Sequence, residues 1–179
     1  MDIIKITYYK STLGELIIGS FKDKICLCDW RYRKMRAQID NRIGKGLNAG
    51  FTEESSPIIR QCIQQLEEYF NGKRTNFDLP LKLVGTPFQQ QVWNMLLTIP
   101  YGQTSSYLKL SQKLNNVTAI RAVASANGAN AISIIVPCHR IIGSDGKLVG
   151  YAGGIKAKKM LLQLESKEQL SFQLNLFKN

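Results

Sequence analysis

The first thirty residues alternate between apolar and polar side chains, and this alternation limits the possible folds of the chain more than any other feature. It runs through the segments IIKITYY, ELIIGSF and ICLCDW, which short turns, KSTLG and KDK, separate. A period of two is typical of strands with one buried face. The chain is therefore predicted to begin with an antiparallel meander of three strands.

The rest of the N-terminal part is predicted to hold a loop, a helix and an extended connection. Residues 40–54, DNRIGKGLNAGFTEE, are rich in glycine and asparagine and predict a loop. Ser56-Pro57 predicts a helix start, because serine caps helices and proline suits the first helical position, and Asn71-Gly72 predicts its end. The side chains expected on its buried face are Ile58, Cys62, Leu66 and Tyr69 or Phe70. The segment FDLPLKLVG is expected to be extended.

The second half of the chain is predicted to be mainly helical. Thr86, Pro87 and Gln89 match a capping box with proline at the first helical position. The sequence PYG at residues 100–102 predicts the end of this helix. The side chains expected on its buried face are Phe88, Val92, Leu96 and Ile99.

Two further short helices predict a helix-turn-helix. They are SSYLKLSQKLN and TAIRAVASANGAN, with a tight turn at Asn115-Asn116 between them and Thr118 as the cap of the second. The second helix is built from small side chains, namely Ala119, Ala122, Ala124, Ser125, Ala126, Gly128 and Ala129. It carries one long cation, Arg121, and Asn127, whereas a helix that reads the major groove usually has several long polar side chains. A slim helix suits the minor groove, which is about 6 Å wide; the alternative is a helix packed tightly in a core.

The distribution of charge favours a polyanionic partner. The formal net charge is +11, and residues 81–179 hold 11 basic and 3 acidic side chains, so +8 of it lies in the second half. Residues 79–144 contain no carboxylate at all, whereas a solvated protein surface normally mixes both signs. This pattern favours nucleic acid as the partner over a merely basic protein.

Four cysteines, Cys26, Cys28, Cys62 and Cys138, are too few for a secreted disulfide scaffold and are expected to be reduced thiols. Cys26 and Cys28 would share one face of a strand, and with one histidine in the chain no metal site is predicted. The first residues show no signal-peptide pattern and no apolar run is long enough to cross a membrane. A cytoplasmic protein with no membrane partner is expected.

The stretch IIVPCHRIIG combines reactive residue types with apolar surroundings. AISIIVP predicts a strand that ends at Cys138, and the chain's one histidine, His139, follows directly. Neighbouring strand residues point in opposite directions, so the two side chains can cooperate only if a turn follows the strand. A thiolate stabilised by a histidine is a nucleophile, whereas a lone cysteine in apolar surroundings is usually inert core. The acids that could orient His139 are Asp145, Glu165 and Glu168.

From Thr86 to Glu165 the chain resembles the O6-alkylguanine-DNA alkyltransferases, of the bacterial constitutive type. The motifs that carry the resemblance are TPFQQQVWNMLLTIPYGQTSSY, RAVASANGAN, VPCHRIIGSDGKLVGYAGG and KKMLLQLE. The resemblance implies an α+β fold of two domains. The first, over residues 1–80, would be a ribonuclease H-like antiparallel three-stranded sheet with helices. The second, over residues 81–179, would be helical and would hold the DNA-binding surface and the active site. It also implies DNA repair by transfer of the alkyl group from O6-alkylguanine, and from O4-alkylthymine, in double-stranded DNA to the protein's own cysteine.

The resemblance also assigns roles to individual residues. Cys138 would accept the alkyl group once and irreversibly, His139 would act as base through a bridging water, and Glu165 would orient His139. Asn130 would hold the turn, and Tyr107 would donate a proton to the guanine ring. Arg121 would replace the base turned out through the minor groove. Tyr151 would line the pocket, and Ser106 and Gly153-Gly154 would border it. The DNA-contacting helix would present Ala122, Ser125, Ala126 and Asn127. No cofactor and no metal are implied, and a monomer is expected.

Two positions depart from some members of the family. Ser133 stands where some have proline, and Ala152 where some have serine, and both would border the alkyl pocket.

Other functions remain open at this point. A cysteine hydrolase or acyl transferase would use the same Cys-His-Glu set with turnover. A non-catalytic helix-turn-helix protein would carry base-reading side chains, and a lesion sensor related to the family would lack the cysteine.

Overall fold

The computed structural model describes residues 2–166, and its N-terminal half is built on a four-stranded mixed sheet. The strands, in chain order, are β1 (Asp2–Ser11), β2 (Gly14–Phe21), β3 (Lys24–Trp30) and β4 (Ala49–Glu53). Their order in the sheet is β3-β2-β1-β4, with β1, β2 and β3 antiparallel. The three-stranded meander is confirmed, and β4 adds a fourth strand parallel to β1.

The prediction of a loop over residues 40–54 is wrong. All of these residues except Asn48 and Glu54 lie in α1 (Arg36–Leu47) or β4. Ile39 and Ile43, one helical turn apart, are fully buried and hold α1 to the sheet. The glycines that suggested a loop allow close packing instead, because a Cβ added at Gly46 would lie 2.5 Å from Cγ1 of Val84. Asn48 ends the helix in the left-handed conformation (φ 48°), a position that asparagine tolerates.

A β-bulge separates the two neighbouring cysteines of β3. The register between β2 and β3 shifts at Gly19/Ser20, so that Ile25 pairs with Ser20 and Leu27 with Gly19. Cys26 packs in the cluster under α1, whereas Cys28 packs in the cluster on the other side of the sheet. The expectation that the two thiols share one face is therefore wrong. Among residues 2–166, no group of three His, Cys, Asp or Glu side chains is placed to hold a metal ion.

The first long helix, α2 (Pro57–Phe70), begins and ends where its sequence predicts. The Ser56 hydroxyl accepts a hydrogen bond from the amide of Ile59, and Pro57 occupies the first helical position. The predicted face is buried, and it consists of Ile58, Cys62, Leu66 and Tyr69. Residue Leu81, in the predicted extended connection, forms a bridge with Ile25 of β3.

The remaining elements form the second half. They are α3 (Pro87–Leu96), β5 (Ser105–Ser106), α4 (Tyr107–Lys113), α5 (Ile120–Gly128), β6 (Ile141–Ile142) and α6 (Gly154–Glu165). The capping box of Thr86 and Gln89 is confirmed. The helix ends at Leu96, before the predicted stop, and Ile99 is buried in the turn that follows.

The helix-turn-helix consists of α4, a turn and α5. Asn115 takes a positive φ of 55° in the turn, as its asparagine pair predicts. Thr118 does not cap α5, which begins after a 3-10 turn over Val117–Ala119 and has Ala119 at its N-cap. The Thr118 hydroxyl donates instead to the side chain of Asn116.

The segment AISIIVP is not a regular strand, contrary to its apolar pattern. It forms isolated bridges, Cys28 with Ile132 and Ser133 with Val136, around Ile134, whose φ is +74°. The two halves share one apolar cluster, in which side chains of β2, β3 and α2 contact those of α3, α5 and α6. No helix among residues 2–166 is long and apolar enough to cross a membrane.

Candidate active site

Cys138 lies at the start of a 3-10 turn, Cys138–Arg140, that directly follows Pro137. Its side chain is 4% exposed and faces a cavity of about 680 Å³. The predicted turn at the reactive pair is thus present. The cavity is lined by residues from both halves of the chain, namely Tyr32, Arg33, Lys34, Met35, Tyr107, Ala124, Asn127, Gly128, Asn130, Cys138 and the segment 150–154.

Asn130 holds the chain that carries the cysteine. Its side-chain amide donates to the carbonyl of Val136 (2.9 Å) and more weakly to that of Ile132 (3.4 Å), and its Oδ1 accepts from the amide of Ile132 (2.9 Å). One buried side chain thereby closes the loop from residue 130 to residue 136. The role that the resemblance implies for Asn130 agrees with this geometry.

His139 is fully buried and contacts Glu165. Its Nε2 lies 2.8 Å from Oε1 of Glu165, near the C-terminal end of α6. Of the other acids considered, Asp145 lies at the surface beside Lys147, and Glu168 lies outside the described residues. The structure therefore pairs His139 with the acid that the resemblance assigned.

The Glu165 carboxylate has further partners, which the sequence did not suggest. Arg140 donates from Nε to Oε2 (2.8 Å) and from Nη2 to Oε1 (2.9 Å), and the Tyr69 hydroxyl donates to Oε1 (2.7 Å). Burial by itself raises the pKa of Glu165, but hydrogen bonds from His139 and Arg140 outweigh it and lower the pKa to about 2. Glu165 is therefore a fixed anion in the folded protein.

This anion sets the proton positions on the imidazole. Because ionised Glu165 can only accept, neutral His139 carries its hydrogen on Nε2 and has a free lone pair on Nδ1. Burial lowers the pKa of His139, with Glu165 acting in the opposite direction, so the ring is neutral at rest. Within residues 2–166, Nδ1 has no hydrogen-bond partner, and no direct hydrogen bond joins His139 to Cys138. The lone pair of Nδ1 is free to accept a proton.

The surroundings of the Cys138 thiol favour its protonated form. Burial raises its pKa, and a hydrogen bond with Asn130 opposes that shift. The charge of Asp29 also raises the pKa, whereas the charges of Arg33 and Lys158 lower it. The raised pKa favours the protonated thiol in the resting protein, so a base has to remove its proton when the thiol reacts.

Lys158 is a buried cation that the sequence analysis missed. Its side chain, on α6, is fully buried, and its Nζ donates to the carbonyls of Ile141, Val149 and Gly150. Burial lowers its pKa, whereas proximity to Cys138 raises it. The helical spacing of Lys158, Leu161 and Glu165 could have indicated that Lys158 is buried, since it places all three side chains on one face of α6.

Besides exposed Tyr32, two partly buried tyrosines, Tyr107 and Tyr151, line the cavity. Burial and the proximity of Cys138 raise the pKa of Tyr107, and a hydrogen bond with Asn127 opposes the shift. The ring of Tyr151 lies 5.9 Å from that of Trp30 and 6.4 Å from that of His139, centroid to centroid. Gly153 packs against Trp30, where an added Cβ would lie 2.4 Å from a ring carbon. Both tyrosines are thus close enough to the thiol to contact a base that enters the cavity.

Asp29 connects the N-terminal half to the loop that carries the nucleophile. Its buried carboxylate accepts from Arg33 (2.9 Å), Arg36 (2.8 Å) and the hydroxyl of Ser133 (3.0 Å). Arg33 also donates to the carbonyls of Asn130 (3.0 Å) and Gly128 (2.6 Å). Ser133 is fully buried in this network and does not line the cavity, so its predicted place at the pocket border is wrong.

Helix α5 presents part of its predicted surface. Arg121, Ala122 and Ser125 are exposed, as a DNA-contacting face requires. Ala126 is buried, and its carbonyl accepts a hydrogen bond from the indole of Trp93 (2.8 Å). Asn127 is buried at the wall of the cavity. Among the remaining predicted residues, Ser106 is buried and caps α4 by accepting from the amide of Lys109. Although it was predicted to border the pocket, it is not one of the residues that line the cavity.

Comparisons with known proteins match both halves of the chain. Residues 4–83 match the 6-O-methylguanine DNA methyltransferase, ribonuclease-like domain, and residues 87–167 match the 6-O-methylguanine DNA methyltransferase, DNA binding domain. The chain is 50% identical to a methylated-DNA–protein-cysteine methyltransferase of Mycobacterium leprae, with 93% of this chain and 94% of that protein covered. It is 40% identical to the constitutive methylated-DNA–protein-cysteine methyltransferase of Bacillus subtilis, with 89% and 96% covered. The solved structure of Mycobacterium tuberculosis OGT in complex with DNA matches with a TM-score of 0.76 and 37% identity, covering 91% of this chain and 92% of that one.

Proposed function

The chain belongs to the 6-O-methylguanine DNA methyltransferase family, and we propose that it repairs DNA by moving the alkyl group of O6-alkylguanine to the thiol of its own Cys138. The single observation that carries this assignment is the position of Cys138 at a cavity next to a histidine whose Nδ1 is free to take a proton. O4-alkylthymine is the second substrate that we propose, because it presents an alkyl group on an exocyclic oxygen in the same way.

The reaction is a direct displacement at the alkyl carbon. The Cys138 sulfur forms a bond to that carbon, and the bond between the carbon and O6 breaks. The thiol proton leaves through a bridging water to Nδ1 of His139, while Tyr107 donates a proton to the departing guanine anion. His139 returns a proton to Tyr107 afterwards, so the net reaction moves one proton from thiol to guanine.

Glu165 and Arg140 keep this base ready. The imidazolium that forms when His139 takes the proton is stabilised by the ionised carboxylate 2.8 Å away. Arg140 and Tyr69 fix that carboxylate, so it need not reorient during the reaction. Proton acceptance by a neutral, oriented histidine explains how a buried thiol of raised pKa reacts near neutral pH.

The product makes the protein a single-use reagent. S-Alkylcysteine is a thioether and has no carbonyl that water could attack, so no second step restores the thiol. No cofactor is required, because the damaged DNA supplies the alkyl group. A hydrolase or acyl transferase with the same three residues would turn over, and this difference separates the two functions experimentally.

The target base has to leave the duplex to reach Cys138, since the sulfur lies inside a cavity. We propose that α5 lies along the minor groove and that exposed Arg121 fills the space of the base that has turned out. Small exposed side chains such as Ala122 and Ser125 let the helix approach the groove closely. A non-catalytic regulator is not favoured, because such a protein has no use for a cysteine at this cavity.

The remaining features of the proposal concern organisation. We propose one domain over residues 1–80 and a second over residues 81–179, acting together as a monomer in the cytoplasm. Sedimentation of the protein with and without an equimolar duplex tests the monomer, and a second protein copy per duplex at equimolar concentration would contradict it.

Intact-mass measurement tests the proposed function. After incubation with excess O6-methylguanine duplex, the mass should rise by one methyl group and then stop, and peptide mapping should place that group on Cys138. The Cys138→Ser variant is the matched control, and Cys62, a buried thiol outside the cavity, is the internal one. Several turnovers per protein, or methylation of Cys26, Cys28 or Cys62, would contradict the proposal.

A further inference from the structure

The cavity at Cys138 has one wall that the N-terminal half supplies. On one side lie Ala124, Asn127 and Gly128 of α5, and on the other lie residues 32–35. The segment Arg31–Arg36, RYRKMR, follows β3 directly and is called the mouth segment below. The residues that the resemblance assigns to DNA binding all lie in the C-terminal half of the chain, and none lies in the N-terminal half.

The mouth segment exposes large side chains beside the cavity. Tyr32 is 78% exposed and Met35 is 44% exposed, and Lys34 between them is also exposed. An aromatic ring and a cation at the edge of a cavity that receives a nucleotide are the combination found where proteins hold single-stranded nucleic acid. Such rings stack on bases or sugars without regard to sequence.

Charge pairing distinguishes Lys34 from the other cations of the segment. Arg33 and Arg36 contact the buried carboxylate of Asp29, and Arg31 pairs with Glu15 at 2.9 Å. Lys34 forms no ion pair with any carboxylate in the part of the chain from residue 2 to residue 166. Its charge is therefore available to a phosphate.

The position of the mouth segment is fixed relative to α5. Arg33 donates to the carbonyl of Gly128, the last residue of α5, at 2.6 Å. A DNA strand that lies along α5 and sends a base down to Cys138 keeps its backbone at the opening of the cavity. Because residues of α5 and of the mouth segment both line the cavity, such a backbone would have to pass between the end of α5 and the mouth segment.

We propose that the mouth segment is a second DNA contact, in which Lys34 binds a phosphate of the strand that carries the extrahelical nucleotide and Tyr32 packs against the sugar or base beside it. This inference rests on the proposed function and deepens it, because it gives the N-terminal half a direct part in holding the lesion. The partner is the phosphodiester backbone of the damaged strand.

Salt-dependent binding to an O6-methylguanine duplex, measured in the unreactive Cys138→Ser background for every variant, tests Lys34. Lys34→Ala should weaken binding and reduce the slope of log affinity against log salt by about 1, because one phosphate contact is lost. The matched control is Lys24→Ala, since exposed Lys24 begins β3 at the end of the strand far from the mouth segment. Equal slopes for Lys34→Ala, Lys24→Ala and the unmodified protein would overturn the phosphate contact.

Tyr32→Ala tests the stacking contact through a ratio of rates. The alkylation rate with O6-methylguanine duplex should fall by a larger factor than the rate with free O6-benzylguanine, which has no flanking strand. Equal factors on both substrates would overturn the role of Tyr32. Failure of the unmodified protein to become alkylated would refute the proposed function. Normal alkylation together with an unchanged salt dependence of binding in Lys34→Ala would refute only the proposed DNA contact of the mouth segment.

Discussion

The hydroxyl of Ser133 donates a hydrogen bond of 3.0 Å to the buried carboxylate of Asp29, across the boundary between the two halves of the chain. Ser133 lies in the loop that Asn130 closes, and Asp29 lies on β3. The family resemblance placed Ser133 at the border of the alkyl pocket, but in the structure Ser133 helps to hold the loop that carries Cys138. Asp29 and Arg33 also bring opposite charges close to the thiol.

Ser133→Ala should destabilise the protein and slow alkyl transfer. Loss of a hydrogen bond to a buried charge costs about 1–3 kcal/mol, because the Asp29 carboxylate loses one of its donors. The loop should become less well fixed, so the rates with duplex DNA and with free O6-benzylguanine should fall by similar factors. Urea denaturation and both rates check this. Unchanged stability, or a loss confined to duplex DNA, would show that this hydrogen bond does not support the loop.

Glu165→Gln should slow alkyl transfer strongly while DNA binding persists. The neutral amide stabilises the imidazolium of His139 less well, and it leaves Arg140 without its carboxylate partner. Rates measured beside binding to undamaged duplex separate the two effects. An unchanged rate would remove Glu165 from the reaction.

The same substitution should change the acid stability of the protein. The pKa of Glu165 is about 2 in the folded protein, below that of an unfolded glutamate, so its ionised form stabilises the fold. That contribution is complete above the unfolded pKa of about 4.3 and is lost as the pH falls towards 2. Denaturation of Glu165→Gln at several pH values should therefore show a weaker loss of stability across this window than the unmodified protein.

Lys158→Met should raise the pKa of the Cys138 thiol. The buried ammonium lowers that pKa by its charge, and methionine keeps much of the length of the side chain without the charge. The rate of alkylation by iodoacetamide, followed against pH, reports the thiol directly. Lys158→Arg is the charge-preserving control and should shift the profile less. Identical profiles for Met and Arg would show that Lys158 acts only by fixing the carbonyls of Ile141, Val149 and Gly150.

Arg121→Ala should lower the repair rate in duplex DNA more than the reaction with free alkylated base. Arg121 is exposed on the first turn of α5, and its proposed position in the duplex is needed only when a base leaves a stack. The ratio of the two rates is the measurement. Equal losses on both substrates would contradict the proposed position of the arginine in the duplex.

Local sequence signals predicted β1, β2 and β3, the N-terminal caps of α2 and α3, and the reactive turn, because each depends on neighbouring residues. The meander and the caps at Ser56 and Thr86 are of this kind. The helix α1 was missed because Gly46 serves packing against Val84, a contact between residues distant in sequence. The bulge at Cys26 likewise depends on the pairing of β3 with β2.

The candidate site was only partly predictable for the same reason. The resemblance assigned Glu165 to His139, but the partners of Glu165 and the contact of Asp29 with Ser133, 104 residues away, arise from tertiary packing. The raised pKa of Cys138 follows from its burial, which the adjacent Cys-His pair does not reveal. Buried polar networks that join distant segments are the part of this site for which a single sequence carries no local signal.

The protein should accept alkyl groups larger than methyl. The cavity of about 680 Å³ lies within the range of about 300–1,000 Å³ found for sites of drug-sized ligands, so it has room beyond a single guanine base. Ala152 lines it with a small side chain, and a larger adduct gains about 25 cal/mol for each Å² of apolar surface that it buries there. Free O6-benzylguanine should therefore inactivate the protein. Because Ser133 lies outside the cavity, the space available depends on Ala152 and its neighbours, and Ala152→Leu should slow the benzyl reaction more than the reaction with free O6-methylguanine. Failure of the unmodified protein to react with the benzyl compound would contradict the open cavity, and an equal effect of Ala152→Leu on both compounds would show that loop position rather than this side chain limits adduct size.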